Sequence, residues 1–374
     1  MNLKIGIVTV QDSSNLGSFL QALSLQEVVK KNGDEPIFVK TRSKFSTLCL
    51  FLGYNNSPSV RSTKSFIAFV LNSIKHLRTT KAAYQKYKTY KKDWNQYNKV
   101  ITVKKFNRMN ADVLLLGSDE IWNTNKPVFR NSIFYGVGVN AKRKYGYAVS
   151  VGDMKENGYD KFPELQGGIA DLDGVLVRDN HSYDVLSHYD INCIGKICDP
   201  TLQIDIKEYM KNANKVELPD KDYMVVYAYT VSNSNRHLIQ EFAKANNLIT
   251  VAVSLPHSWC DKYVNCSPLE FGAILENAKY VFTATFHGTI FSALYHTNFL
   301  VQASLPKVFD VLEILGLEKN IIPNNCDTTQ FENLMKQSRN YEDVEYRIKN
   351  LRDKSDRFYH ECIKQERIND GDLL

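Results

Sequence analysis

The sequence predicts an α/β protein of two halves in series, each a parallel sheet covered by helices. Three observations predict it. Short apolar, β-branched runs alternate with amphipathic helical ones. The alternation restarts after a polar stretch at 203–221. The length, 374 residues, exceeds one ordinary core and suits two domains.

LKIGIVTV reads as a buried parallel strand. In NLGSFLQALSLQEVVKKNG, Leu16, Phe19, Leu20, Leu23 and Val28 or Val29 fall at helical spacing. Ser13 or Ser14 is the expected cap and Gly33 the stop, and EPIFVK returns as a strand to complete a βαβ opening. A basic section at 41–108 then interrupts, with fifteen Lys and Arg against one acid, Asp93, in a chain of net charge +6. Within it, SFIAFVLNSIKHL (65–77) and KAAYQKYKTYKKDWNQYNKV (81–100) read as helices. VLLLG and YGYAVSV are strands that run into the loops GSDEIWN (117–123) and SVGD (150–153). LDGVLVRDNHSYDVL is strand, turn and helix, with Asp179 or Asn180 at the helix start.

In the second half YMVVYAY, LITVAVS, AKYVFTAT and FLVQAS are strands. NRHLIQEFAKANN, SPLEFGAILENA, HGTIFSALYHT and LPKVFDVLEILGL are helices, the second capped by Ser267 with Pro268 at its first position. The stretch from Glu332 to Gln365 reads as one long charged helix. Domains are therefore expected at 1–205 and 206–374. In paired α/β domains ligands bind at the strand carboxyl ends, in the cleft between the domains.

Composition narrows the function. The seven cysteines are odd in number and contain no CxxC pair, so neither a disulfide framework nor a zinc site is expected. Reduced thiols in a cytoplasmic protein are expected instead. The N-terminal apolar run is too short for a signal peptide, and no run approaches the roughly 18 apolar residues that span a bilayer. Tyr and Phe, at 21 and 19, either stack on sugar rings or fill cores. The basic section suits an anionic lipid surface or a solvated insertion; nucleic acid is disfavoured, since no reader motif is present.

The strongest chemical signal is YVFTATFHGTIFSALY. A strand ends at Thr283–Thr285, His287 and Gly288 are expected to turn the chain, and Thr289 to open a helix. The amides of Gly288, Thr289 and Ile290 would then face an anion. Beside bound phosphate, His287 is either a general acid or a polar turn residue. Lys307, after FLVQAS, can neutralise a carboxylate or phosphate, or be an ordinary surface lysine. In the first half, Asn15-Leu16-Gly17-Ser18 is a second helix start, without the glycine pattern of a P-loop or a dinucleotide fingerprint. Gly17 and Gly117 allow close backbone approach. Asp119 and Glu120 are a base or sugar contacts, and Trp122 is a sugar platform or a core anchor. Arg178 binds an anion or pairs with Asp179. His257 is a secondary candidate.

These stretches together resemble the polysaccharide pyruvyl transferase family. NLGSFLQALSLQ, GSDEIWN, VRDNHSYDVL with CDPTL, and SPLEFGAILENAKYVFTATFHGTIFSALY carry the resemblance, in order, over most of the chain. It implies two Rossmann-like domains with parallel sheets facing across a cleft, a GT-B-like fold. It further implies transfer of pyruvate from phosphoenolpyruvate to a sugar of a surface polysaccharide or its lipid-linked precursor, as a ketal. His287 falls on the family's catalytic histidine, Lys307 on its donor-binding lysine and Arg178 on its arginine. Thr285, Gly288 and Thr289 complete the donor set; Asn15, Gly17, Ser118, Asp119, Trp122 and Asn123 would face the acceptor. The scheme requires no metal and no cofactor beyond the donor. Where the family turn reads D-S-F-H-G, this chain has Ala284 and Thr285, keeping the hydroxyl and losing the acid. A nucleotide-sugar glycosyltransferase of the same architecture and a non-catalytic binder of sugar or lipid are the competing expectations.

Overall fold

The computed structural model describes residues 2–52, 74, 77–211 and 216–365. The expected helix at 65–77 therefore lies outside the described residues, apart from Ile74 and Leu77. Two compact units divide the chain: Met1–Ile204 with Leu351–Leu374, and Asp205–Asn350. The expected second domain ran to residue 374, whereas the stretch from Leu351 groups with the first unit.

The first unit runs β1 (Lys4–Val8), α1 (Leu16–Lys31), β2 (Glu35–Val39), α2 (Lys44–Phe51), α3 (Leu77–Tyr97), β3 (Val100–Ile101), α4 (Val103–Phe106), β4 (Val113–Leu116) and β5 (Arg143–Val149). It continues with α5 (Pro163–Ala170), β6 (Gly174–Val177), α6 (Asn180–Ser187), β7 (Cys193–Lys196) and α7 (Pro200–Gln203). All its ladders are parallel, in the order β3-β2-β1-β4-β5-β6-β7. The carboxyl ends thus share one edge. The chain steps outward from β1 to β3, then returns to lay β4 against β1, which puts the topological switch point between those two strands.

The second unit runs α8 (Ile206–Met210), β8 (Tyr223–Tyr227), α9 (Asn233–Ala245), β9 (Ile249–Val253), β10 (Lys262–Val264) and α10 (Glu270–Glu276). It ends with β11 (Tyr280–Thr283), α11 (Phe286–Leu294), β12 (Asn298–Val301), α12 (Pro306–Leu315), α13 (Thr328–Lys336) and the start of α14 (Tyr341–Phe358). Its parallel order is β10-β9-β8-β11-β12, with the switch point between β8 and β11. Each sheet buries its own apolar cluster, around Val8, Leu114 and Trp122 in the first unit and Val226, Phe282 and Leu300 in the second.

Several boundaries differ from expectation. Asn15, not Ser13 or Ser14, caps α1, its side chain accepting from the amides of Gly17 and Ser18. α3 ends at Tyr97, freeing Val100 and Ile101 to pair with β2. Ser267, the expected cap, exchanges hydrogen bonds with Glu270, but the regular helix opens only at Glu270, so Pro268 is not its first residue. The long helix from Glu332 is broken: α13 stops at Lys336, and Asn340 accepts from the amide of Asp343 to open α14. Arg339 in the break donates to Asn320 and to the carbonyl of Leu334, which holds the chain out of helical geometry.

Candidate active site

In the second unit, β11 delivers the chain to the switch point beside β8. Thr283 Oγ1 donates to the carbonyl of Tyr227 at 2.8 Å and accepts the amide of Thr285 at 3.1 Å. That turn sets Thr285 in extended backbone as the cap of α11, its hydroxyl accepting from Gly288 N at 3.0 Å. The helix therefore opens at Phe286, three residues earlier than expected. His287 is its second residue and is only 7% exposed.

The early start corrects the expected anion contacts. Gly288 N–H is used by the cap, and Thr289 N–H donates to the carbonyl of Thr285 at 3.1 Å, while Ile290 lies past the first turn. The outermost amides of the helix belong instead to Phe286 and His287. Gly288 has a packing role. A Cβ there would stand 2.1 Å from Thr283 Oγ1, 2.6 Å from Thr285 Oγ1 and 2.9 Å from the Tyr227 ring.

Lys307 reaches the same edge. Pro306 opens α12 after β12, and Lys307, the next residue, is 9% exposed. Its Nζ stands 5.6 Å from the centre of the Phe286 ring, the first residue of α11. The structure thus brings the expected histidine and lysine to adjacent helix starts. Gln302 ties this edge to the loop after β8, accepting from Ser232 N at 3.0 Å and Asn235 Nδ2 at 2.8 Å. His257, the secondary candidate, bonds to the carbonyl of Ala228 at 2.8 Å.

The first unit's expected acceptor residues serve a different purpose. Trp122 is fully buried, donates to the carbonyl of Phe134 at 2.8 Å and stacks on Tyr135, so it anchors the core and cannot carry a sugar. Asn123 is also fully buried, bonded to Asp153 and Glu120. Glu120 pairs with Lys126. Burial opposes the charge of Lys126, but Glu120 and the nearby Asp119 and Asp153 raise its pKa overall.

Ser118, Gln21 and Thr9 form a closed network at the switch point. Asp119, at φ +76°, accepts from Ser18 Oγ at 2.7 Å and from its neighbour's amide at 2.8 Å. Gly17 is buried at the start of α1, and Asn15 spends its oxygen on the cap. Gly117 approaches protein rather than ligand: at φ +140° its missing Cβ would overlap the carbonyl of Tyr147 at 2.0 Å.

Arg178 pairs not with Asp179 but with Asp199, at 2.6 Å, and both side chains are buried. Burial is the largest influence on the guanidinium and works against its charge; Asp199, Asp119 and Asp179 together outweigh it and raise its pKa. Three loops that sequence reading kept separate thus meet on one arginine. Thr283 and Asp199 were the residues overlooked; each lay inside a quoted motif, but only tertiary pairing reveals its use.

Among the described residues no group of three or more His, Cys, Asp or Glu is placed to hold a metal ion, and no helix is long and apolar enough to cross a membrane.

Two parallel α/β units in series, each with polar residues gathered at the carboxyl edge of its sheet, define a GT-B-like protein. The chain is similar to a putative UDP-N-acetylglucosamine 2-epimerase from Listeria monocytogenes, at 10% identity and TM-score 0.51 over 99% of each chain. It is similar to S. aureus MnaA, solved with UDP, at 12% identity and TM-score 0.52 over 99% of this chain and 100% of that one. A further UDP-N-acetylglucosamine 2-epimerase matches at 12% identity and TM-score 0.53 over 98% of each chain. At these identities the likeness is one of fold. No curated protein matches. A sequence profile described as polysaccharide pyruvyl transferase matches residues 15–303, and the chain belongs to that family.

Proposed function

We propose that the protein transfers pyruvate from phosphoenolpyruvate to two hydroxyls of one sugar, as a ketal, on a surface polysaccharide or its lipid-linked precursor. The observation that carries this reading is the position of His287, in the first turn of α11, directly after β11 and beside the switch point. The positive end of that helix and the ammonium of Lys307 favour the donor's phosphate and carboxylate there.

His287 gives a proton to the methylene carbon of the donor, which leaves a cation at C2. One sugar hydroxyl adds to C2 and loses its proton. The C2–O bond to phosphate breaks and phosphate leaves. The second hydroxyl adds to the same carbon and closes the ketal; one released proton returns to the imidazole and the other goes to phosphate or solvent. Thr285 sets the helix start that holds the imidazole. Arg178 is assigned to positioning: neutralised by Asp199, it binds the loops of the first unit together instead of holding the donor. Peripheral contact with an anionic membrane through the basic 41–108 section fits an acceptor carried on lipid.

The test is twofold. Phosphoenolpyruvate raises the melting temperature, Lys307→Met removes that rise, and His287→Ala keeps it. Phosphate release from phosphoenolpyruvate with galactose- or mannose-type acceptors falls by roughly 100-fold or more in His287→Ala. Stabilisation by UDP or GDP alone, or equal rates in wild type and His287→Ala, overturns the reading.

A further inference from the structure

A cavity of about 350 Å³ lies in the first unit beyond the carboxyl ends of β1 and β2, and none of the residues assigned to the donor lines it. Its lining includes Gln11, Lys40, Arg42, Lys44, Lys91 and Asn98. The four cations face one acid, Asp12, whose carboxylate is shared between Arg42 at 3.4 Å and Thr47 Oγ1 at 2.6 Å. The cavity is therefore net positive. Its α3 side is aromatic: Tyr87, Tyr90 and Trp94 line it, braced edge-on by Phe51 and Phe19.

Two residues of the lining, Gln11 and Asn98, each carry a buried side-chain oxygen without a hydrogen-bond donor among the described residues. Gln11 is 3% exposed, and its Nε2 donates to the carbonyl of Val39 at 3.0 Å, which fixes the amide's orientation. Its Oε1 accepts no hydrogen bond among the described residues. Asn98 repeats the arrangement, donating from Nδ2 to Trp94 and leaving Oδ1 without a donor. A buried acceptor oxygen without a donor is costly. An ionised phosphate oxygen only accepts and cannot relieve it; a hydroxyl donates and can.

We infer that this cavity binds a sugar carrying an anomeric phosphate or diphosphate. The sugar's hydroxyls donate to Gln11 and Asn98, its ring lies against the aromatic wall, and its phosphate meets the lysines and Arg42. Only its role as the acceptor's subsite rests on the transferase reading; the binding itself does not.

Titration calorimetry on the full chain tests this with the 1-phosphates of glucose, galactose, mannose and N-acetylglucosamine. At least one is expected to bind about tenfold more tightly than inorganic phosphate and than its free sugar. Lys91→Glu, an exposed change on α3, weakens that binding about tenfold. Gln11→Met weakens it without changing the affinity for inorganic phosphate. The farnesyl-diphosphate and UDP conjugates of the same sugar then separate a lipid-linked from a nucleotide-linked source. If no sugar phosphate exceeds inorganic phosphate, or if Lys91→Glu leaves the affinity intact in a folded protein, the inference fails. Phosphoenolpyruvate binding, measured on the same variants, reports on the donor reading separately.

Discussion

Gly288 shows how one missing atom holds the candidate site together. The first turn of α11 sits directly on the hydroxyls of Thr283 and Thr285, and a methyl group would overlap both, as well as the Tyr227 ring. Both hydroxyls are held by hydrogen bonds to backbone groups, Thr283 to the Tyr227 carbonyl and Thr285 to the Gly288 amide, so relief requires the helix start to move and carry His287 with it. Gly288→Ala is expected to cost about 1–3 kcal/mol, the usual penalty of overpacking a filled site. It is also expected to lower turnover more than stability. Urea unfolding measures the first effect and phosphate release the second; unchanged values for both would show that the helix tolerates the group. The same glycine was legible in the sequence as part of a His-Gly turn, but its purpose was not. Spacing suggested amides aimed at an anion, whereas the hydroxyl pair that occupies its surroundings is visible only when β11 and β8 are placed side by side.

At the scale of elements, the strands were the most legible feature, because a strand buried on both faces must be a short, continuous apolar run. VLLLG, GVLV, YMVVY and YVFT all became strands at the positions their composition marks. Helix ends were less legible, since capping is decided by which of several adjacent Ser, Thr and Asn side chains reaches the amides. The run 13–15 offered three such residues and the structure uses Asn15. The break before α14 was hidden because charged residues on both sides fit a helix equally well. The end of that segment carries its own consequence. Arg352 donates to the carbonyls of Leu202 and Ile204, Tyr359 donates to buried Asp34 at 2.9 Å, and Phe358 packs where a Cβ on Gly195 would be. The last stretch therefore completes the first unit's core. Ending the chain after Asn350 is expected to cost at least the roughly 3–5 kcal/mol of one large buried aromatic, lowering the melting temperature by about 10 °C or more. Tyr359→Phe, which removes only the donor to Asp34, is expected to cost about 1–3 kcal/mol. Calorimetric melting of both variants against the full chain tests the assignment; an unshifted transition in the truncated chain would refute it.

For the whole molecule, both units bury groups that ionise only at alkaline pH, and this makes stability one-sided in pH. Burial pushes the thiol of Cys193 up to about 11 and that of Cys198 up to about 12 in the first unit, and that of Cys260 to about 12 in the second. Burial likewise holds the phenols of Tyr147 and Tyr159 well above their ordinary value, and that of Tyr223 at about 12. All are acids that stay protonated in the folded chain. Between their ordinary values, 9.0 for the thiols and 10.0 for the phenols, and the raised ones, the unfolded chain loses protons that the folded chain keeps. Stability contributed by these groups is thus fully present below about pH 9 and falls as pH rises through that window. The contrast with Arg178 is instructive, because its buried charge is matched by Asp199 and titrates outside this range. The expected outcome is a melting temperature that drops steeply between about pH 9 and pH 12, with both units affected. At about pH 8, iodoacetamide should leave buried Cys198 unmodified in the folded protein and label it in urea. Rapid labelling of Cys198 in the native state would mean that the first unit's core is less closed than its packing indicates, and a flat melting temperature across the alkaline range would mean that these groups titrate alike in the folded and unfolded chain.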